Sequence, residues 1–195
     1  MNILTDCIRL DAEYAQVLRA IAASKERNNP LPLLVTGLCD GATDAIYASL
    51  IEDIKKHDKR PTLIICPEEK ECVRVKNFLG QFGIRTAFFI GRDLTFYNIT
   101  ASHEYEHERL RVLSGLLDNS YGAIVTTPDA ALSYTMPPDT LIASLTYVDF
   151  DKPFLEPSKF AERLVSLGYS RTESVSGAGQ FALRGGIVDV YPPNC

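Results

Sequence analysis

The sequence predicts an α/β fold: a mostly parallel sheet with helices on both faces, followed by the start of a small α+β domain. Three observations carry this expectation. Along residues 1–140, short apolar runs alternate with longer segments whose apolar residues recur at helical spacing. The short runs are apolar throughout rather than alternating, the pattern of strands covered on both faces. After Met136-Pro137-Pro138 the pattern changes, and residues 141–195 finish on two extended runs separated by Arg184-Gly185-Gly186, a hairpin signal.

The elements follow in order. Asp11 is a natural N-cap for a helix carrying Tyr14, Val17, Leu18 and Ile21, which Asn28-Asn29-Pro30 stops. Leu31 to Thr36 reads as a short buried strand. Ile46, Leu50, Ile51 and Ile54 mark a second helical face. Thr62 to Cys66 is a strand ended by Pro67. Cys72, Val75, Leu79 and Phe82 line a third helix, with Gly83 placed as its C-cap. Thr86 to Ile90 is the next strand, Leu110, Leu113, Leu116 and Leu117 mark a fourth helix, and Ala123 to Thr127 is a fourth strand.

In the second part, Leu141 to Phe150 reads as a strand. A helix follows with Pro157 in its first turn, Phe160 and Leu164 on its inner face, and Gly168 at its end. Phe181 to Leu183 and Ile187 to Tyr191 then form the hairpin. A lone hairpin is marginal in water, so this second domain reads as truncated.

One loop carries chemical information. "TGLCDGATDA", Thr36 to Ala45, lies between a predicted strand and a helix, where a nucleotide-binding α/β fold places its phosphate loop. Laid on G-x-x-x-x-G-K-[ST], Gly37 fits the first glycine. Ala42, which follows Gly41, replaces the second glycine; Thr43 replaces the lysine and Asp44 the Mg²⁺-binding hydroxyl. The cation that neutralises the phosphates is gone, and a carboxylate stands where it repels them by several kcal/mol, on the order of the Coulomb term at intermediate dielectric. The loop predicts no nucleotide binding, no cofactor and no catalysis.

A second motif points elsewhere. His103-Glu104-Tyr105-Glu106-His107 satisfies H-E-x-x-H, the signature of many zinc peptidases. Such a site needs both histidines well inside a helix, a third protein ligand and an open coordination position. Ser102 is the natural N-cap here, which puts His103 at the first helical position, while Glu104 and Glu106 favour the helix dipole. The segment reads as a charged helix start whose inner face begins at Leu110. No metal is predicted.

Composition bounds the rest. With 46% hydrophobic and 23% charged residues, the chain has material for a real core. A net charge of −5 argues against nonspecific DNA binding, which needs a basic field to displace counterions. The N-terminus lacks the basic and apolar regions of a secretory leader, and no run approaches the roughly 20 apolar residues of a membrane span. The five cysteines form no C-x-x-C pair and read as reduced thiols of a cytoplasmic protein.

Four stretches carry a resemblance: "VTGLCDGATDAIYASL", "HEYEHERLRVLSGLL", "GAIVTTPDAALSYTMPP" and "GQFALRGGIVDVYPP". Through them nearly the whole chain resembles the N-terminal part of the bacterial transcription-repair coupling factors, a region itself similar to UvrB. The last stretch, F-x-x-R-G-G-I-x-D-x-[FY]-P, is the most specific. The resemblance implies a degenerate, helicase-like first domain (residues 1–140) similar to UvrB domain 1a, and a partial UvrA-recognition domain (141–195) similar to UvrB domain 2. UvrB keeps an intact phosphate loop at the position of Gly37 to Asp44, whereas the coupling factors' copy is degenerate. UvrB also inserts a long aromatic hairpin before the helix matching Glu104 to Asp118; here that gap holds only Phe96 and Tyr97 as aromatics.

The function the resemblance implies is a non-catalytic adaptor that recruits UvrA by imitating UvrB. The RNA polymerase and double-stranded DNA contacts of the parent translocase lie in regions this chain lacks. Arg184 matches an arginine that contacts UvrA in this family, and a guanidinium at a tight turn suits a bidentate carboxylate contact. The remaining family contacts lie on a strand beyond residue 195. The alternative reading is an active NTPase or helicase fragment of an excision-repair protein.

Overall fold

A computed structural model describes residues 3–25, 32–39, 41–91, 104–148 and 156–193. The first elements are α1 (Ile3–Arg9), α2 (Ala12–Lys25), α3 (Ala42–Lys55), β1 (Thr62–Ile65), α4 (Glu69–Gln81) and β2 (Thr86–Phe89). There follow α5 (Glu104–Leu117), β3 (Ala123–Thr126), α6 (Pro128–Leu132), α7 (Pro138–Ser144), α8 (Pro157–Ser166), β4 (Ser170–Arg171), β5 (Gln180–Arg184) and β6 (Ile187–Tyr191). The chain divides into two compact units, residues 1–89 with 118–131 and residues 90–117 with 132–195.

The first unit is built on a parallel sheet of order β1-β3-β2. β3 is the middle strand, and all four of its residues are buried. The Cys66 amide donates to the Thr126 carbonyl at 2.8 Å, which carries the ladder to the residue where the sequence ended this strand. Register puts Ile64, Val125 and Phe88 side by side on one face. There they meet Ala48 and Ile51 of α3 and Cys72, Val75 and Leu79 of α4 in one core. The period of α4 was read correctly: Cys72, Val75 and Leu79 are at most 1% exposed, and Gly83 follows the helix at φ 72°. In α3 the buried positions are Asp44, the smaller Ala45, Ala48 and Ser49, and Ile51; Ile46, Leu50 and Ile54 are half-buried. Small residues let a helix approach a sheet closely, so a hydrophobicity pattern dominated by Ile and Leu marked a neighbouring stripe.

Asp11 caps α2 as expected, its Oδ1 accepting from the amides of Glu13 at 2.6 Å and Tyr14 at 3.3 Å. Asn28, Asn29 and Pro30 lie outside the described residues. Three sequence expectations are corrected. The run Leu31 to Thr36 forms no strand over its described residues, and Leu33, Leu34 and Val35 are 49%, 84% and 41% exposed. Pro32 removes an amide from that run, and leucine fits a pleated surface less well than the Ile, Val, Thr and Phe of the strands that formed. The expected strand from Leu141 begins instead inside α7, with Pro138 at its first turn and Asp139 favouring the dipole. In α5 the buried residues are Arg109 and Val112, while Leu110 is half-buried. Arg109 donates to the carbonyls of Ile90 at 2.8 Å and Tyr134 at 3.5 Å, and its guanidinium lies 5.4 Å from the centre of the Tyr105 ring. A buried, bonded arginine looks like a surface residue in a hydrophobicity pattern.

The second unit holds a mixed sheet of order β4-β5-β6, β4 parallel to β5 and β5 antiparallel to β6. α8 covers one face: Phe160, Ala161 and Leu164 pack on Phe181, which is fully buried, with Tyr169, Leu183, Val188 and Val190 around them. α8 stops as the sequence implied, with Gly168 at φ 88° and the Tyr169 amide donating to the Leu164 carbonyl at 3.0 Å. Among the described residues no helix is long and apolar enough to cross a membrane.

Candidate functional site

Two places carry the residues singled out by the sequence, one in each unit. In the first, Gly37 (φ 79°) and Gly41 (φ 83°) both adopt the left-handed conformation that only glycine takes cheaply. Gly41 caps α3 without a side-chain hydrogen bond, and Ala42, Thr43 and Asp44 form the first helical turn. A helix start of this kind presents free amides that favour an anion. Here the positive end of α3 already has an anion. The Asp44 side chain is only 3% exposed and is gripped by the Arg74 guanidinium of α4, whose Nη1 bonds Oδ2 and whose Nη2 donates to Oδ1 at 3.1 Å. The same guanidinium pairs with Glu71, Nη2 to Oε1 at 2.6 Å and Nε to Oε2 at 3.0 Å. Glu71 first, and Asp44 second, hold Arg74 firmly protonated, and Arg74 in turn lowers the Glu71 carboxyl.

Beneath this ion network lie groups held in their neutral forms. Cys66 and Cys72 are buried and free. Burial pushes the Cys72 thiol up to about 12, reinforced by neighbouring Cys66, and burial raises Cys66 as well. The Tyr47 hydroxyl is raised first by burial and then by the nearby thiol and carboxylates. Sequence reasoning expected Asp44 to disfavour phosphate; it offered no sign of Arg74, which lies thirty positions away.

The H-E-x-x-H segment is only partly described, because His103 lies outside the described residues. His107 sits within α5 against the backbone of Gly179: a β-carbon added there would meet its Nε2 at 3.1 Å. Packing against a loop is a different task from facing an open coordination position. Among the described residues no group of three or more His, Cys, Asp or Glu is placed to hold a metal.

The second place is the β5–β6 hairpin. Arg184 ends β5 directly opposite Ile187, leaving Gly185-Gly186 as a two-residue turn. Of the two glycines only Gly185 is at positive φ, at 60°, which fits a II′ turn rather than the I′ form needing both. The alternation of the strands sends Phe181, Leu183, Val188 and Val190 toward α8 and puts Arg184, Ile187, Asp189 and Tyr191 on the other face. Ile187 is 66% and Tyr191 46% exposed. The Arg184 side chain is 65% exposed, and its Nη2 donates to Asp189 Oδ2 at 2.5 Å. Beside Arg184 opens a cleft of about 440 Å³, also lined by Arg171, Thr172, Glu173 and Leu183. The arrangement is a packed hairpin that offers a cation and two apolar side chains to solvent.

The UvrB interaction domain family matches residues 153–195, the part of the chain that contains α8 and the hairpin. The transcription-repair-coupling factor of Bacillus subtilis is 41% identical over 95 residues, covering 47% of this chain and 8% of that protein. That of Staphylococcus aureus is 28% identical over 195 residues, covering 98% of this chain and 16% of its own length. That of Borreliella burgdorferi is 22% identical over 188 residues, or 95% of this chain and 16% of its own. The chain thus spans between 8% and 16% of the length of these three relatives. Over nearly its whole length this chain is similar to the bacterial transcription-repair-coupling factors, and through residues 153–195 it matches the UvrB interaction domain.

Proposed function

We propose that this chain is the non-catalytic recruiting part of a transcription-repair coupling factor, and that residues 141–195 dock UvrA by presenting the surface UvrB presents. In the whole cytoplasmic protein, a translocase halted with RNA polymerase on damaged double-stranded DNA would offer this hairpin and so bring excision repair to the transcribed strand. One observation carries the reading: the segment that matches the UvrB interaction domain holds Arg184 exposed on a hairpin whose other face is packed on α8. Arg184, Ile187 and Tyr191 are exposed on the face opposite α8, where Ala182 between them is buried, and arginine with large apolar neighbours is the composition of an interface hot spot. The first unit supports the non-catalytic half of the proposal, since its helix start is filled by Asp44 and Arg74.

The test is the affinity of the chain for UvrA. Arg184→Ala should weaken it by about thirty-fold, the loss typical of truncating one side of a charged interface pair. The melting temperature should stay within a few degrees of wild type, because an exposed turn arginine carries little packing. Arg184→Lys should recover only part of the affinity, as an ammonium lacks the planar fork. Unchanged affinity in a folded Arg184→Ala protein would overturn the assignment.

A further inference from the structure

We infer that Asp189 is a positioning residue for the docking arginine: it holds the Arg184 guanidinium over the hairpin so that the remaining N–H groups face the partner. The inference rests on the docking role proposed for this hairpin and adds a residue that acts through Arg184.

The geometry is as follows. Asp189 pairs in register with Ala182, one same-face step from Arg184, so its carboxylate lies diagonally across the ladder from the guanidinium. Diagonal neighbours on one face are within reach of long side chains. Asp189 Oδ2 accepts from Nη2 of Arg184 at 2.5 Å. An arginine offers five N–H donors in a fixed fork. The pair engages one terminal nitrogen, which leaves the Nη1 and Nε donors for a partner's carboxylate. Ile187, directly opposite Arg184 and two-thirds exposed, flanks the same side chain.

The energetics separate positioning from structure. Both side chains are largely in water, 65% and 43% exposed, and such pairs contribute little to folding. The hairpin is held instead by Phe181 and its α8 neighbours. A free arginine loses much rotamer freedom when a partner fixes it. Asp189 imposes that loss before the encounter, so its effect belongs to affinity and not to the melting temperature.

A double-mutant cycle on UvrA binding by the full chain tests this. Asp189→Ala should weaken binding about five-fold with the melting temperature unchanged. The same change in an Arg184→Ala background should have no further effect, because the residue acts only through Arg184. Asp189→Asn keeps an acceptor oxygen and should lose less than Asp189→Ala; it also serves if the alanine variant folds poorly. In NMR spectra, the Arg184 guanidinium should show hindered rotation in the wild type and free rotation in Asp189→Ala. Equal or tighter binding by Asp189→Ala, while Arg184→Ala still weakens binding, would overturn the positioning role alone. So would an equal loss from Asp189→Ala in both backgrounds. If Arg184→Ala itself binds as wild type does, or the wild-type chain does not bind UvrA, the docking assignment falls and takes this inference with it.

Discussion

Asp53 accepts hydrogen bonds from three side chains, two of them brought from far along the chain and one a helical neighbour. Arg9 at the end of α1 donates from Nε at 3.1 and 3.2 Å, Tyr14 of α2 from its hydroxyl at 2.8 Å, and Lys56 beside α3 from Nζ at 2.6 Å. Burial works to raise the Asp53 carboxyl, but the bonds from Lys56, Arg9 and Tyr14 outweigh it and hold the group below its ordinary value of 3.8. A carboxyl lowered in the folded state contributes stability that is present above its unfolded value and is lost as pH falls through the folded one. Asp53→Asn should therefore cost about 2 kcal/mol near neutral pH, the scale of hydrogen bonds to a charged group. In urea melts, the gap between wild type and variant should narrow as pH drops below the ordinary carboxylate range. A gap that is constant with pH would show that Asp53 acts through packing and not through its charge. Nothing in the sequence disclosed this network, since Arg9 and Asp53 are 44 positions apart and no periodicity links them.

Where α3 begins, one ion pair joins it to α4, and its removal is a test at the scale of elements. Arg74→Ala strands the Asp44 carboxylate, whose side chain is 3% exposed, beside a helix end. Breaking a fully buried pair typically costs 3–5 kcal/mol. Arg74 is half in water, so a smaller loss of about 2 kcal/mol is expected by the discount that solvent screening imposes. Arg74→Ala with Asp44→Ala should recover most of that loss, because the double change leaves no stranded charge. An additive loss would mean that Arg74 stabilises α4 by itself, through Glu71. This junction also marks the limit of what was legible. The helical faces of α4 and α8 could be read because one stripe of large apolar residues does the packing in each, Cys72 to Leu79 and Phe160 to Leu164. The hairpin could be read because Gly185-Gly186 leaves few alternatives. Leu31 to Thr36 misled because apolar runs mark burial only where a neighbouring strand exists to pair with them. α7 was missed because Pro138 acts as a helix starter there, while its apolar residues suggested a strand. Arg74 and Asp189 were invisible because tertiary ion pairs leave no spacing in a sequence.

At the scale of the whole molecule, the question is whether the loop before α3 can take a nucleotide. Gly37 and Gly41 are both at positive φ ahead of α3. The side chains oppose nucleotide binding. Asp44 holds the place of the metal-binding hydroxyl, Thr43 that of the lysine, and Arg74 is committed to Asp44 and Glu71. An entering triphosphate would have to displace a buried carboxylate or share space with it, and like charges at such a distance repel by several kcal/mol, on the order of the Coulomb energy at intermediate dielectric. Ligand linkage makes the expectation measurable. A real site with 100-fold excess of ligand over its dissociation constant stabilises the folded state by about 2.7 kcal/mol, which in a chain of this size moves the melting temperature by several degrees. Titration with Mg·ATP and Mg·ADP to millimolar concentration should leave the transition where it stands, in the wild type and in Asp44→Ala alike, since removing the carboxylate does not restore the lysine. A saturable rise in the wild type would return the chain to the active NTPases. A rise confined to Asp44→Ala would show that one internal carboxylate, and not the missing cation, keeps the loop closed to phosphate.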